Sequence, residues 1–177
     1  LQHVGSRNRA EPQCYQAVRC CPATRVPNPI SAWKAPPDEA PQLKDAAGSA
    51  DYPWRWDGSS IPFIGSYALN GWCYSHMNWS PCFEKESGVT SPSQTPYFAD
   101  SIWVDGWPWE TEPPASNLYA GADNNSMQRF TIARHGWKSP ASAPRKLPAG
   151  AALVGKINIG SVDGHAKFDD SRAFGRV

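Results

Sequence analysis

Three aspartates lie next to short apolar segments, in positions where their carboxylates could bind a hard cation. Asp100 ends the run Thr-Pro-Tyr-Phe-Ala-Asp, and Asp105 and Asp163 each open an Asp-Gly pair. Calcium is bound by several carboxylate and carbonyl oxygens, so the sequence suggests a calcium site if these loops converge. The alternative is structural, because Asp-Gly pairs form tight turns and Asp100 can cap the end of a strand.

Cysteines and one histidine offer a second kind of metal site. Cys73, His76 and Cys82 supply three zinc-type ligands, and Cys20 or Cys21 would supply the fourth. Structural zinc sites usually show two short ligand pairs, whereas this chain has one. We therefore favour a disulfide between Cys73 and Cys82 in an oxidising compartment.

Two histidines near the predicted strands raise a catalytic alternative. His135 and His165 could be catalytic with Asp163 or Ser161, and a metal-dependent hydrolase around Asp100, Asp163 and His165 is the third function considered. No nucleophile-elbow motif surrounds them. We therefore expect a sheet-surface histidine and a strand-end hydrogen bonder, and no catalytic residue.

Tryptophan is abundant, and exposed indoles would suit a carbohydrate ligand. Trp54 and Trp56 flank Arg55, and the chain has nine Trp in all. Planar indoles offer large apolar faces for stacking, so an extracellular carbohydrate-binding module that uses Trp54 and Trp56 is the alternative function. In a loop-rich fold the same side chains more often form the core.

The elements that position these residues must be short. The chain has 177 residues, which is one domain by length, and 14 Gly and 18 Pro interrupt it throughout. We predict an α+β fold that is mostly strand and loop: a small antiparallel sheet with long loops rich in Pro, Gly and Trp. Residues 1–177 form the single domain, with 1–50 an extended Pro-rich arm and 51–170 the core.

The sheet should be centred on a hairpin from Ile157 to Phe168. Asp163 and Gly164 are the preferred pair for a two-residue type I′ turn, which would place Ile159 opposite Phe168. Directly opposed residues share a face of the sheet. The predicted core face contains Ile157, Ile159, Ser161, Ala166 and Phe168.

Three further segments read as strands. Tyr67 to Leu69 is short, Thr95 to Asp100 is a compact apolar run, and Met127 to His135 alternates between apolar and polar residues. We expect the Met127 segment to lie beside Ile157 and the Thr95 segment to lie beyond one edge of the sheet.

Charge excludes some partners. Seventeen basic and sixteen acidic residues give a formal net charge of +1 without long blocks of one sign, so neither a nucleic acid nor an anionic membrane is indicated. No apolar run approaches the roughly 20 residues of a membrane span. The chain begins at Leu1 rather than Met, and we expect a processed or partial product with any targeting segment upstream.

Several segments, in the same order along the chain, resemble one family. They are Cys-Cys-Pro-Ala-Thr (20–24), Gly-Ser-Tyr-Ala-Leu-Asn-Gly-Trp (65–72), Pro-Ser-Gln-Thr-Pro-Tyr-Phe-Ala-Asp (92–100), Trp-Val-Asp-Gly-Trp-Pro (103–108), Arg-Phe-Thr-Ile-Ala-Arg-His-Gly (129–136) and Ile-Asn-Ile-Gly-Ser-Val-Asp-Gly-His (157–165). The sequence resembles the prepilin-type proteins, which are similar to type IV pilins and type II secretion pseudopilins, of planctomycetes and verrucomicrobia. The resemblance covers about residues 18–168.

The resemblance implies a pilin-like globular head. Members of the family are exported and anchored by an N-terminal apolar helix, which packs into a helical filament after processing. This sequence contains no such helix, and membrane contact is expected only through one. We expect an extracellular or cell-surface structural subunit whose partners are copies of itself and, in the alternative, glycans. Related major pseudopilins hold calcium near the sheet, and calcium is the only cofactor suggested for Asp100, Asp105 and Asp163.

Overall fold

The computed structural model describes residues 19–27, 33–34, 47–57, 63–75, 82–83 and 85–169. Within them the fold is mostly strand and loop, with very little helix. The strands are β1 (Trp54–Trp56), β2 (Phe63–Gly65), β3 (Tyr67–Asn70), β4 (Pro96–Asp100), β5 (Asp105–Gly106), β6 (Ile157–Ser161) and β7 (Ala166–Asp169). One α-helical turn, α1, spans Met127–Phe130, and 3-10 turns span Gly71–Cys73, Glu86–Gly88 and Pro140–Ser142.

The strands form two sheets. β1 and β2 make a small antiparallel pair, and the larger sheet has the order β5-β3-β4-β6-β7. Its β3-β4, β4-β6 and β6-β7 pairings are antiparallel, whereas β5 runs parallel to β3. The larger sheet is therefore mixed, and the antiparallel prediction is confirmed for all but its short edge strand.

One face of the larger sheet packs on the main core. Ala68, Ala99 and Ile159 are register partners in a row across β3, β4 and β6, and all three are buried. Loop residues and α1 cover this inner face, where the apolar side chains remove each other from water. The core cluster comprises Ala47, Ala68, Ala99, Ile102, Met127, Phe130, Ile132, Ile157 and Ile159.

The hairpin forms between β6 and β7, but its predicted register is wrong by one residue. Ile159 lies opposite Lys167 rather than Phe168. The loop has three residues, because the Ser161 N–H donates to the His165 carbonyl at 2.8 Å and the Gly164 N–H donates to the Ser161 carbonyl at 2.9 Å. Three-residue loops combine a type I turn with one left-handed residue, and Gly164 has φ +87°.

This shift moves half of the predicted core face to the other side of the sheet, as a slip of one residue must. Ile157, Ile159 and Ser161 are buried as predicted. Ala166 and Phe168 instead share the outer face with Gly160 and Asn158, and both are exposed.

The predicted strand from Met127 to His135 is also wrong. Its first four residues form α1, in which the Gln128 N–H donates to the Asn125 side chain at 3.0 Å and the Met127 N–H donates to the Glu112 carboxylate at 2.9 Å. Glu112 is distant in sequence, so tertiary contacts override the alternating pattern. Within this segment His135 forms the one β-bridge, an isolated bridge to Lys156.

The other two predicted strands are confirmed as β3 and β4, although β4 lies in the centre of the sheet beside β6 rather than beyond its edge. Most of the predicted arm, 1–50, lies outside the described residues. Among the helices that are described, none has the length and apolar character needed to cross a membrane.

Candidate functional site

A buried ion pair stands at the end of the larger sheet. Asp100 is the last residue of β4, and its Oδ1 accepts a hydrogen bond from Arg134 NH1 at 2.9 Å. Both side chains have no exposed surface. Charged groups are buried at this depth only when their hydrogen-bonding capacity is satisfied, because desolvation of an isolated charge is very unfavourable.

The guanidinium of Arg134 is satisfied by backbone as well as by Asp100. Its Nε donates to the Ala50 carbonyl at 3.0 Å, and its NH2 donates to the carbonyls of Ser49 at 2.8 Å and Ser101 at 3.1 Å. NH1 also donates to the Ser66 carbonyl. The Arg134 side chain thus connects three distant segments. Arginine is the only side chain with five N–H donors in one planar group.

The other oxygen of Asp100 faces a second group of polar side chains, which we call the Cys21–Asp100–His135 cluster. His135 Nε2 lies 3.1 Å from Asp100 Oδ2 and 3.2 Å from Cys21 Sγ. The three possible ligand atoms all lie within 4.8 Å of one another, and Cys21 is 1% exposed. Because Cys21 is buried, its thiol is poorly placed to attack a substrate.

Hydrogen bonds of their backbone groups fix two members of the cluster, Cys21 and His135. The Cys21 N–H donates to Ser66 Oγ, and the Cys21 carbonyl accepts from the Thr24 N–H at 2.9 Å and its hydroxyl at 2.7 Å. His135 exchanges two backbone hydrogen bonds with Lys156, at 2.9 and 2.7 Å.

Neighbouring strands complete the cluster. Tyr67 is the register partner of Asp100 on β3. Asn158 on β6 donates its N–H to Asp100 Oδ2 at 2.7 Å, and its side-chain nitrogen lies 3.0 Å from His135 Nε2. The Phe168 ring packs edge-on against the His135 ring, with centroids 5.7 Å apart. The cluster therefore lies on the outer face of the sheet, away from the main core.

These contacts shift the pKa values of the cluster. Burial alone would lower the pKa of His135, but the hydrogen bonds to Asp100 and Cys21 outweigh it and raise that pKa to about 9. Burial would raise the pKa of Asp100, but Arg134, His135 and the Asn158 N–H lower it below 3.8. Burial, with Cys21 and Asp100 nearby, raises the pKa of the Tyr67 hydroxyl. The shifts favour a carboxylate at Asp100 and a proton or a cation at His135.

The three aspartates of the predicted calcium site are not brought together. Asp100 belongs to the cluster above, whereas Asp105 pairs with Arg129 at 3.2 Å and accepts from the Tyr74 hydroxyl at 3.2 Å. Asp163 lies in the exposed hairpin turn. Within the part of the chain that is described, Cys21, Asp100 and His135 are the group whose ligand atoms converge.

Cys73 and Cys82 both carry thiols in the structure. Cys73 Sγ lies 3.9 Å from the Pro96 carbonyl and Cys82 Sγ lies 3.7 Å from the Gly71 carbonyl. Burial and the neighbouring Cys82 raise the pKa of Cys73 to about 11. The disulfide between them stays a prediction, and His76, the third residue of the predicted zinc set, lies outside the described residues.

The two tryptophans of the predicted glycan surface differ. Trp54 is 6% exposed, its indole N–H donates to the Tyr67 carbonyl at 3.1 Å, and its ring packs on Gly65. Trp54 is thus a core residue, and the predicted surface role is wrong for it. Trp56 is 40% exposed and stacks on Phe63, with ring centroids 5.9 Å apart.

The histidines considered for hydrolysis lie in separate places. His165 is exposed beside the hairpin turn, with Nδ1 2.7 Å from Asp163 Oδ1. This hydrogen bond lowers the pKa of Asp163. Since Asp100 contacts His135 and Asp163 contacts His165, the set of Asp100, Asp163 and His165 is not assembled.

Sequence reasoning named all three cluster residues but did not group them. The sequence suggests Asp100 as a calcium ligand, Cys21 as an optional fourth zinc ligand, and His135 as a histidine on the sheet surface or at a strand end. Each lies in a segment that carries the family resemblance, Cys-Cys-Pro-Ala-Thr, Pro-Tyr-Phe-Ala-Asp and Ala-Arg-His-Gly. Asp105, Asp163 and His165 lie in such segments too, so the resemblance does not single out the cluster.

Comparison of the chain with protein-family models, with curated proteins and with solved structures finds no match.

Proposed function

We propose that this chain is the globular head of a pilin-like or pseudopilin-like structural subunit, which assembles with copies of itself outside the cell and is not an enzyme. Support comes from the ordered sequence resemblance and from one observation in the structure. That observation is an uncovered apolar face on the larger sheet.

The outer face carries a row of small and apolar residues across four strands. Leu69, Phe98, Gly160 and Ala166 are successive register partners in β3, β4, β6 and β7. Leu69 is 38% exposed and Phe98 is 41% exposed. The Phe98 ring lies over Gly160, where a Cβ would be 2.4 Å from the ring, so the ring lies flat on the sheet.

A second row extends the apolar surface. Phe168 on β7 is 49% exposed, and Tyr97 at the irregular end of β4 is 45% exposed and packs against Phe98 with ring centroids 6.4 Å apart. Contiguous exposed apolar surface on a soluble protein marks an interaction site. A head that packs into a filament requires such a surface on every subunit.

Assembly is tested with the purified chain by analytical ultracentrifugation and negative-stain electron microscopy over a range of concentrations. We expect concentration-dependent association through the outer face. Phe98→Lys places a charge in the middle of that face and should shift the material to monomer. Trp137→Lys is the matched control, because Trp137 is 39% exposed but lies in a loop outside the sheet.

A chain that stays strictly monomeric at high concentration contradicts the proposal. If the chain assembles but Phe98→Lys assembles equally well, then the sheet face is not the contact and the structural support is lost.

A further inference from the structure

We propose that the Cys21–Asp100–His135 cluster is a zinc site, which fastens the Cys-Cys-Pro segment to the outer face of the larger sheet. This site is different from both metal sites that the sequence suggested. It does not depend on filament assembly.

The contacts at His135 are the first reason. Three polar atoms of different kinds converge on Nε2: a sulfur at 3.2 Å, a carboxylate oxygen at 3.1 Å and an amide nitrogen at 3.0 Å. One imidazole nitrogen has a single in-plane hydrogen or a single lone pair, so it can serve only one of them well. A cation shared by the sulfur, the oxygen and Nε2 would satisfy Cys21, Asp100 and His135 together.

The spacing is the second reason. Zinc bonds of about 2.3 Å to sulfur and about 2.0–2.2 Å to nitrogen and oxygen, at tetrahedral angles, separate the ligand atoms by about 3.4–3.6 Å. The observed separations of 3.2 Å and 3.1 Å are a few tenths of an ångström shorter. An outward movement of the His135 ring, which retains some exposure, would lengthen both separations to the zinc values, and the third separation, between Cys21 and Asp100, is within 4.8 Å.

The supporting hydrogen bonds are the third reason. Metal-bound carboxylates are usually oriented by further partners. Asp100 Oδ1 accepts from Arg134, and Oδ2 accepts from the Asn158 N–H and lies 3.1 Å from His135 Nε2. All described donors of Arg134 are directed at Asp100 or at backbone carbonyls. The arginine thus orients the carboxylate and does not occupy the metal position.

The ligand types select the metal. Thiolate and imidazole favour zinc, whereas calcium and magnesium require oxygen ligands. Three protein ligands leave a fourth position for water. Since Cys21 and His135 are 114 residues apart in sequence, bound zinc would close a long loop and stabilise the fold.

The test uses the full chain, freed of metal with a chelator and then titrated with zinc alone. We expect one zinc per chain by isothermal titration calorimetry and elemental analysis, and a higher melting temperature with zinc. Cobalt in place of zinc should give the strong visible absorption of a tetrahedral site and a thiolate-to-cobalt charge-transfer band.

Variants identify the ligands. Cys21→Ser should remove the charge-transfer band and weaken zinc binding by more than the roughly 10–100-fold that loss of a supporting hydrogen bond costs. Cys73→Ser and His165→Gln are the matched controls and should bind zinc like the parent chain. Circular dichroism of each metal-free variant shows whether it is folded.

The proposal is overturned if the parent chain binds no zinc, or if its cobalt complex lacks the thiolate band. It is also overturned if Cys73→Ser loses binding while Cys21→Ser retains it, because the site would then include Cys73 and Cys82. If Cys21→Ser does not fold, the cobalt spectrum of a Cys73→Ser/Cys82→Ser double variant decides: the thiolate band should persist, and its loss would overturn the proposal.

Discussion

Replacement of Arg134 by methionine should be among the most destabilising single changes in the described part of the chain. The variant keeps an unbranched side chain of similar length but removes the charge and every donor. Asp100 then remains in the interior without its ion-pair partner. Removal of one partner from a buried ion pair costs about 3–5 kcal/mol.

The backbone carbonyls add to this loss. The Ser66 carbonyl keeps a second donor, the Ser101 N–H at 2.9 Å. The described hydrogen bonds from Arg134 to the carbonyls of Ala50 and Ser101 are lost without replacement. Each buried acceptor left without a donor costs about 1–3 kcal/mol. We therefore expect Arg134→Met to lower the free energy of unfolding by about 4 kcal/mol or more, a large share of the about 5–15 kcal/mol that stabilises a typical domain.

Urea denaturation followed by tryptophan fluorescence and far-ultraviolet circular dichroism measures this change. Arg134→Lys keeps the charge with fewer donors, so it should be destabilised by less than Arg134→Met. Arg55→Met is the matched control, because Arg55 forms an ion pair with Asp57 that is partly exposed, and exposed pairs contribute only about 0–1 kcal/mol.

A double variant separates charge from carbonyl contacts. Asp100→Asn in the Arg134→Met background removes the orphaned charge and should restore part of the lost stability. If Arg134→Met costs less than about 1 kcal/mol, or no more than Arg55→Met, then the buried network does not stabilise this fold and the reasoning is wrong.

Three further predictions concern single residues. Gly164→Ala should destabilise the chain by about 1–2 kcal/mol through its φ of +87° alone, since nothing lies within 4 Å of the added Cβ. Gly164→Asn should cost less, and equal melting temperatures of the two variants would contradict this. Burial raises the pKa of Asp105 above 3.8, so the folded state holds this proton more tightly and the free energy of unfolding should fall as the pH rises from 3.8 through the folded-state pKa. Thermal melts of Asp105→Asn at the same pH values should lack this decrease. Trp54→Ala should cost about 3–5 kcal/mol in urea denaturation, whereas Trp56→Ala should cost far less, and similar losses would show that Trp54 is not a core residue.

The hairpin shows how much the sequence could predict. Alternation of apolar residues located both strands, and Asp-Gly located the turn. The Asp-Gly pair did not determine whether the loop has two or three residues, because Gly164 can adopt a positive φ in a loop of either length. The Val162 N–H donates to the Thr95 carbonyl at 3.0 Å, so a neighbouring strand helps to fix the register, and that contact is invisible in the local sequence.

The candidate site was out of reach for the same reason. Cys21, Asp100 and His135 are each ordinary in their own segments. Contacts between distant segments place them together: β4 pairs with β3 and β6, His135 bridges to Lys156, and the Cys21 N–H donates to Ser66 Oγ. The Met127 segment also alternates as a strand does, yet Glu112 accepts from its first N–H and α1 forms instead. Chemistry that depends on distant contacts leaves no local pattern to read.

The hydrogen bonds of Arg134 have a consequence for the order in which the molecule folds. They span 34 residues to Asp100, 68 to Ser66 and 84 to Ala50, and contacts that close long loops form slowly. Every described partner precedes Arg134 in the chain. During synthesis the acceptor groups of the earlier segments therefore remain hydrated until residue 134 has been added. A fragment that ends before Arg134 cannot form this buried network.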